Sequence, residues 1–179
     1  MAAGAVRAII VMGVSGSGKT TISQALAART GFAEADGDDY HPAANVEKMK
    51  AGIPLTDDDR WPWLSAIASA IDRYADDNMP VIIACSALKR SYRDVLVHGR
   101  NDVRIVYLKG SADLIAQRLK QRSGHFMPPQ LLDSQISTLE PPQPGEHMLT
   151  VDIDAPVECI VDKIIAALHL PDNAGARTS

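Results

Sequence analysis

Aromatic residues and cysteines are both scarce in this chain. Aromatic residues make up only 4% of the 179 positions, so a folded core has to rest on isoleucine, leucine, valine and alanine. The two cysteines, Cys85 and Cys159, lie far apart in apolar runs. Two distant cysteines supply neither a disulfide framework nor a cysteine-based metal site. We therefore predict two buried thiols with a packing role.

Long apolar runs and an excess of positive charge are also missing. No segment approaches the ~20 apolar residues that a membrane-spanning helix needs. The first residues carry no long basic leader and no cleavage pattern, which makes them a poor signal peptide. The net charge of −4 argues against nucleic acid as the main partner, because binding to the phosphate backbone favours a basic face. We expect a cytoplasmic protein with neither a membrane nor a nucleic-acid partner.

The composition present is that of a globular protein, with 46% apolar and 22% charged residues. The length fits one domain, residues 1–179. Short apolar segments alternate with stretches of helical periodicity, the pattern of a doubly wound α/β fold with a five-stranded parallel sheet. The predicted strands cover residues 6–12, 33–36, 81–85, 103–108 and 149–153.

The predicted helices occupy the intervals between these strands. Pro62 is expected in the first turn of one helix, which puts its start near residues 58–61. Ser111 is a good N-cap for a helix that runs to Arg122. Further helices are predicted over residues 88–97, 129–139 and 156–168. Residues 171–179 are predicted to form a disordered tail.

The strongest motif follows the first predicted strand and matches the phosphate-loop pattern G-x-x-x-x-G-K-[ST] at every position. In such a loop, glycines let several backbone N–H groups point at one anion, and the following helix adds its positive end. The lysine neutralises the β/γ-phosphates of ATP, and the threonine hydroxyl can ligate Mg²⁺. The predicted ATP-binding residues are Gly13, Val14, Ser15, Gly16, Ser17, Gly18, Lys19 and Thr20.

Two other classes of phosphate-loop protein fit less well. A GTPase needs a base-reading N-K-x-D motif, which is absent. Many ATPases place a Mg²⁺-supporting aspartate at the end of a buried strand, but the third strand ends in Cys85-Ser86. Asp36 and Asp38, directly after the second strand, can supply one carboxylate for Mg²⁺ and another to accept the proton of an attacking hydroxyl. An acidic turn that only caps a helix is the plainer alternative.

Basic residues near the same edge of the sheet are weaker candidates. Arg118 and Arg122 are four apart on one helical face and precede a Gly- and Pro-containing loop that can close over ATP as a lid. Lys89 and Arg93 follow the third strand and are either pocket residues or surface charge. Arg60 can pair with the preceding aspartates, and His41 can be a helix N-terminal residue. Trp61 and Trp63 are typical of packing rather than of sugar stacking.

At the level of whole segments, the chain resembles the small P-loop gluconokinases of the thermoresistant type. The matching segments are GVSGSGKTT, ADGDDYHPAANVEKMKAGIPLTDDDRWPWL, CSALKRSYRDVL, YLKG, RLKQRSGHFMP and VDID. The resemblance covers residues 11–154 and implies the fold of shikimate and nucleoside monophosphate kinases with a mobile lid near residues 118–130. It implies transfer of the ATP γ-phosphate to the 6-hydroxyl of D-gluconate, which feeds the pentose phosphate route, and a homodimer.

The same resemblance implies a role for individual residues. Lys19, Asp38 and Arg122 would be catalytic, with Asp38 as the base. Thr20 and Asp36 would support Mg²⁺, and Arg118 would cover the adenine. The acceptor region spans residues 36–64, and the residues expected around the sugar acid and in the lid are Asp38, His41, Arg60, Ser86, Lys89, Arg93 and His125.

Two alternatives remain open at this point. One is a P-loop kinase for another small acceptor, shikimate or a nucleotide, although the segment DDDRWPWL is typical of neither. The other is a regulator that binds ATP without catalysis.

Overall fold

The computed structural model of the protein describes residues 4–122 and 129–177. Five strands form one sheet in the order β2-β3-β1-β4-β5, and all neighbouring strands are parallel. Each predicted strand is present, with ends that differ by at most two residues. The doubly wound five-stranded parallel sheet is therefore confirmed. The strands are β1 (Ala8–Met12), β2 (Ala33–Asp36), β3 (Val81–Ala84), β4 (Val103–Lys109) and β5 (Met148–Asp152).

Helices cover both faces of the sheet, as the alternation of strands and helices requires. In the described residues they are α1 (Lys19–Thr30), α2 (Ala43–Lys50), α3 (Asp57–Asp76), α4 (Arg90–Val97), α5 (Ala112–Gln121), α6 (Pro129–Thr138) and α7 (Val157–Leu168). Ser111 caps α5 by accepting a hydrogen bond from the Leu114 N–H, as predicted. The lid prediction falls mainly on residues 123–128, outside the described residues.

The central strand β1 is fully buried on both faces, which explains its continuous apolar sequence. Ile9 and Val11 belong to a core shared with α1, α5, α6 and α7, whereas Ile10 and Met12 belong to a core shared with α3 and α4. Alternate side chains of a strand point to opposite faces, so one short strand anchors both layers. This anchoring fixes the point at which the chain leaves the sheet to form the phosphate loop.

Helix α3 begins earlier than the sequence suggested. Thr56 and Asp59 form a reciprocal cap: the Asp59 N–H donates to Thr56 Oγ1 at 3.2 Å, and the Thr56 N–H donates to Asp59 Oδ2 at 2.9 Å. The cap sets the first helical residue at Asp57, so Pro62 lies in the second turn. The prediction of a start near 58–61 was wrong because the cap stabilises an earlier start by more than the missing N–H of Pro62 costs. Proline at position 62 leaves one carbonyl, that of Asp58, without its helical donor, and Asp58 is exposed to water.

Two further predictions need correction. Cys85 is buried, but Cys159 is exposed on α7, because the helix turns it away from the buried Ile160 and Val161. Asp172 and Asn173 are anchored where a disordered tail was predicted: Arg29 pairs with Asp172 at 2.6 Å, the Asn173 N–H donates to the Arg29 carbonyl oxygen at 2.8 Å, and a 3-10 turn follows over Ala174–Arg177. The pairing could not be read from the local composition of the tail.

Within the described residues, no helix is both long enough and apolar enough to cross a membrane.

Candidate active site

The phosphate loop, residues 13–20, leaves the carboxyl end of β1 and runs into the first turn of α1. Gly16 and Gly18 have φ of 84° and 93°, in the left-handed region that favours glycine. A β-carbon at Gly16 would lie 2.7 Å from Cγ of Leu119 on α5. Glycine is therefore required at position 16 both for the backbone conformation and for the close packing of α5 against the loop.

Lys19 folds back over the loop that precedes it. Its Nζ donates hydrogen bonds to the carbonyl oxygens of Gly13 at 3.0 Å and Val14 at 3.1 Å. Burial lowers the pKa of Lys19, and the negative charges of Asp38 and Asp36 oppose that effect. The charge of Arg122 lowers the same pKa. The catalytic residues predicted from sequence, Lys19, Asp38 and Arg122, are thus close enough to interact electrostatically.

The acidic turn lies at the carboxyl end of β2, next to the end of β3. Asp36 caps a 3-10 turn over Gly37–Tyr40 by accepting a hydrogen bond from the Asp38 N–H at 2.9 Å. A β-carbon at Gly37 would lie 2.6 Å from the Ala84 carbonyl oxygen, so this turn packs directly against the sheet. The Asp38 side chain is 78% exposed, yet the protein around it removes part of the water at its carboxyl group; this desolvation raises the pKa of Asp38, and the like charge of Asp36 raises it further. A carboxylate with a raised pKa is suited to accepting a proton near neutral pH.

His41 lies beside this turn and is held from three directions. Its ring stacks on Trp63, with 4.2 Å between the centroids and 14° between the planes. Asn45 Nδ2 donates to the Asp59 carbonyl oxygen at 2.8 Å and faces His41 Nδ1 at 3.2 Å. Because Nδ1 then has to accept, the ring proton is on Nε2, which faces Asp38 Oδ1 at 3.8 Å. Burial lowers the pKa of His41, which favours the neutral ring, and the negative charge of Asp38 opposes that effect.

Trp63 has the packing role that was predicted for it. It points from α3 into the core, and its Nε1 donates to the Gly37 carbonyl oxygen at 2.7 Å. Helix α3 is thereby tied to the acidic turn, since one indole ring contacts both.

A cluster of donors surrounds the carboxylate of Asp57 at the start of α3. Lys89 Nζ lies 3.1 Å from Asp57 Oδ1, Arg60 donates to the Tyr92 hydroxyl at 3.0 Å, and Tyr92 donates to Asp57. Hydrogen bonds from Tyr92 and Lys89 lower the pKa of Asp57. Two cations thus converge on one carboxylate, which leaves this cluster with a net positive charge. Ser86 precedes Lys89 by three residues and lies two residues beyond the end of β3.

Arg93 does not have the free guanidinium group that substrate binding would require. Its side chain is 1% exposed and forms an ion pair with Glu146, whose side chain is 5% exposed. Nε and Nη2 donate to the two Glu146 oxygens at 2.6 and 3.1 Å, while Nη1 donates to the carbonyls of Ala87 and Leu88. The structure therefore places the Arg93 guanidinium between Glu146 and the loop after β3, where it is not available to a substrate, because α4 turns it toward the 140–147 loop.

A cleft of about 290 Å³ lies beside the helical end of the phosphate loop. It is bounded by Gly16 and Gly18 on one side and by Arg118 and Arg122 on the other. Arg118 Nη2 donates to the Ile153 carbonyl oxygen at 2.7 Å, which fixes its position at the cleft wall. The structure thus brings both predicted arginines to the phosphate loop. His125, predicted to lie in the lid, is outside the described residues.

Sequence reasoning missed three polar residues of this region. Asn45 is 3% exposed and orients His41; Tyr92 joins Arg60 to Asp57; Gln135 of α6 reaches the phosphate loop. Tyr92 had a detectable signal, since it lies three residues after Lys89, the residue that caps the start of α4. Asn45 had a similar signal, four residues after His41. Gln135 had none, because 120 residues separate it from its partner.

The oxygen groups near Lys19 fit a magnesium ion. Mg²⁺ is usually held by one or two carboxylates, a hydroxyl and the phosphates of the substrate. Thr20 follows Lys19 in the first turn of α1, and the Asp36 and Asp38 carboxylates lie within electrostatic reach of Lys19. The Asp38 N–H bonds Asp36 Oδ1, and within residues 4–122 and 129–177 no donor bonds Asp36 Oδ2. Thr20 and Asp36, the residues that the family resemblance implies for the metal, would hold the ion.

A phosphate loop that faces a carboxylate of raised pKa is equipped to move a phosphoryl group onto a hydroxyl. Together with the strand order, it places this protein in the class of small P-loop kinases. A shikimate kinase from Bacteroides thetaiotaomicron has the same fold, with a TM-score of 0.66 and 17% identity over 91% of this chain and 98% of that one. A family model described as an AAA domain matches residues 9–142.

Closer relatives narrow the class. A probable gluconokinase of Mus musculus is 44% identical over 89% of this chain and 96% of its own length. The thermoresistant gluconokinase of Escherichia coli (strain K12) is 45% identical over 89% of this chain and 91% of its own. The crystal structure of a gluconokinase from Sinorhizobium meliloti 1021 superimposes with a TM-score of 0.82 and 45% identity, covering 90% and 91%. This chain belongs to the gluconokinase family.

Proposed function

We propose that this protein transfers the γ-phosphoryl group of ATP to the 6-hydroxyl of D-gluconate, giving 6-phosphogluconate and ADP. Family membership supports the reaction, and one structural observation carries the assignment of its chemistry: Asp38, with its raised pKa, lies within electrostatic reach of Lys19 in the phosphate loop. The acceptor hydroxyl would meet the base on one side and the phosphoryl group on the other.

Catalysis in this scheme comes from position and charge. Phosphoryl transfer asks for little covalent help from the protein, so neutralising the phosphate oxygens and aligning the hydroxyl supply most of the rate. Lys19 and Arg122 supply positive charge to the terminal phosphates. Asp38 accepts the proton of the 6-hydroxyl, and His41 lies beside it, with Nε2 3.8 Å from Asp38 Oδ1. When bound at Thr20 and Asp36, Mg²⁺ adds further positive charge at the phosphates.

The Asp57 cluster is our candidate site for the gluconate carboxylate. Arg60 and Lys89 converge on one carboxylate there, and both cations remain about one third exposed, with side-chain exposures of 27% and 30%. A second carboxylate could therefore reach them and balance the remaining positive charge. Charge-assisted hydrogen bonds of this kind are about twice as strong as neutral ones. Arg93 is withdrawn from this role, since Glu146 already neutralises it.

The alternatives lack comparable support. A nucleotide acceptor would need groups that read a base, and a regulator would not need a carboxylate of raised pKa beside the phosphate loop. A shikimate acceptor shares the carboxylate but offers a ring hydroxyl in place of an open-chain one. The shikimate kinase of known structure is only 17% identical, which supports a shared fold and nothing about the acceptor.

An acceptor panel tests the proposal. ADP release is measured with D-gluconate, D-glucose, shikimate and nucleoside monophosphates, on the parent protein and on Lys19→Ala. We expect kcat/KM for gluconate to exceed that for glucose by about 10²-fold or more, because glucose lacks the carboxylate that would bond to the partly exposed Arg60 and Lys89. Lys19→Ala should lose most turnover while folding normally. Similar values for gluconate and glucose, or near-normal turnover of Lys19→Ala, would refute the assignment.

Two expectations from the family complete the proposal. The enzyme would work in the cytoplasm and as a homodimer. Light scattering coupled to size-exclusion chromatography measures the mass in solution, and a monomeric mass at assay concentrations would contradict the homodimer.

A further inference from the structure

Gln135, on helix α6, makes two hydrogen bonds to one residue of the phosphate loop. The Ser15 N–H donates to Gln135 Oε1 at 2.7 Å, and Gln135 Nε2 donates to Ser15 Oγ at 3.1 Å. Both ends of the amide are thus used, and the side chain is partly buried. A contact that pairs a donor and an acceptor with two complementary atoms fixes orientation as well as distance.

The segment that carries Gln135 is anchored at points on either side of it. Leu132, one turn before, is buried in the core with α1 and α7. Five residues after Gln135, the Glu140 N–H donates to the Leu88 carbonyl oxygen at 2.8 Å, and the Glu140 carboxylate accepts from the Arg90 N–H at 2.8 Å. The same segment therefore contacts the phosphate loop and the loop after β3 that carries Lys89.

Ser15 lies in the part of the phosphate loop that would bind the terminal phosphate of ATP. The β-phosphate side of a phosphate loop is bound by N–H groups at the helix N-terminus, here from Gly18 onward. Lys19, which reaches toward the β/γ-phosphates, has its Nζ on the carbonyls of Gly13 and Val14, immediately before Ser15. The Ser15 amide therefore belongs to the part of the loop nearest the γ-phosphate.

We propose that Gln135 is a positioning residue that holds Ser15 and so keeps the γ-phosphate end of the loop in its binding shape. The inference rests on the proposed ATP-dependent function. Its physical basis is that a loop already in its bound shape loses less conformational entropy when the ligand arrives. Without the Gln135 amide, the Ser15 N–H would lose its partner and the loop would be free to relax. ATP would be affected more than ADP, because ADP has no phosphate at that end.

The test compares the affinities of ATP and ADP, measured by calorimetric titration without acceptor, for the parent, Gln135→Ala and Gln135→Glu. Gln135→Ala removes both hydrogen bonds, and we expect ATP affinity to fall about tenfold and ADP affinity by less than about twofold. Gln135→Glu keeps an acceptor for the Ser15 N–H but adds a negative charge near the phosphates. It should therefore weaken ATP at least as much while leaving thermal stability close to that of the parent.

Ser137, exposed on the same helix, supplies matched controls. Ser137→Ala and Ser137→Glu should leave both affinities unchanged. A double variant of Ser15→Ala and Gln135→Ala should lose less than the sum of the single losses, because the two side chains form one contact.

Each outcome bears on the proposal. Equal weakening of ATP and ADP by Gln135→Ala, an effect of Ser137→Glu equal to that of Gln135→Glu, or strict additivity with Ser15→Ala would overturn it. If Gln135→Ala does not fold, the ATP-to-ADP ratio of Gln135→Glu decides. Because these titrations need no gluconate, they remain informative if the acceptor panel fails.

Discussion

Arg93 and Glu146 form a buried ion pair that holds the loop after β3 in place. The guanidinium group of Arg93 meets both carboxylate oxygens and also donates to the carbonyls of Ala87 and Leu88. Ala87 has φ of 45°, a strained value for a residue with a β-carbon. Arg93 compensates for this strain by donating hydrogen bonds to the carbonyl oxygens of the turn. The same turn leads directly to Lys89.

Replacing Arg93 should therefore damage the fold before it damages binding. We expect Arg93→Ala to lower the free energy of unfolding by about 3–5 kcal/mol, since it leaves the Glu146 carboxylate buried without a partner. Chemical denaturation measures the change, with Arg90→Ala, on the exposed side of α4, as the control. Normal stability combined with a large rise in gluconate KM would return Arg93 to the substrate pocket.

Lys89 and Arg60 should show the opposite pattern. Lys89→Ala and Arg60→Ala each remove a charge-assisted hydrogen bond, which contributes about 1.5–3 kcal/mol. We expect gluconate KM to rise about tenfold or more, with ATP KM and stability nearly unchanged. Steady-state kinetics with each substrate varied in turn measures the split, and Arg90→Ala serves again as the control. Unchanged gluconate KM in both variants would remove the carboxylate from this cluster.

The raised pKa of Asp38 predicts the acid side of the pH profile. The base works only when deprotonated, so kcat/KM should fall as pH drops through that pKa. Asp38→Asn should lower kcat by about 10²–10⁴ and abolish this limb.

Asp36→Asn removes the like charge that raises the Asp38 pKa. The acid limb should then move to lower pH, measured at saturating Mg²⁺. A shift of the acid limb to higher pH would contradict the effect of the Asp36 charge. A larger loss of kcat in Asp36→Asn than in Asp38→Asn would reverse the roles of the two residues.

Arg122 is predicted to act on charge that develops in the transition state. Arg122→Ala should lower kcat by about 10³ or more while gluconate KM changes little, because arginines in this position act on the moving phosphoryl group. Lys120→Ala removes an exposed charge two residues away and is the matched control. If the two variants behave alike, Arg122 is an ordinary solvated residue.

The sequence alone determined the phosphate loop, the five strands and the acidic turn of this protein. These features depend on local rules: glycines and a lysine at fixed spacing bind phosphate, and short apolar runs form buried strands. The positions of Asp36, Asp38 and Lys19 at one edge also followed, because the carboxyl ends of parallel strands lie together.

Only the tertiary structure decided which polar groups pair with each other. Arg93 looked as available as Lys89 in the sequence, yet Glu146, 53 residues away, neutralises the first, while the second stays about one third exposed at the site. Gln135 and Ser15 are 120 residues apart and meet because α6 packs over the phosphate loop. Such pairings depend on which loops the sheet brings together and on which side chains are thereby removed from water, and neither is encoded in local spacing.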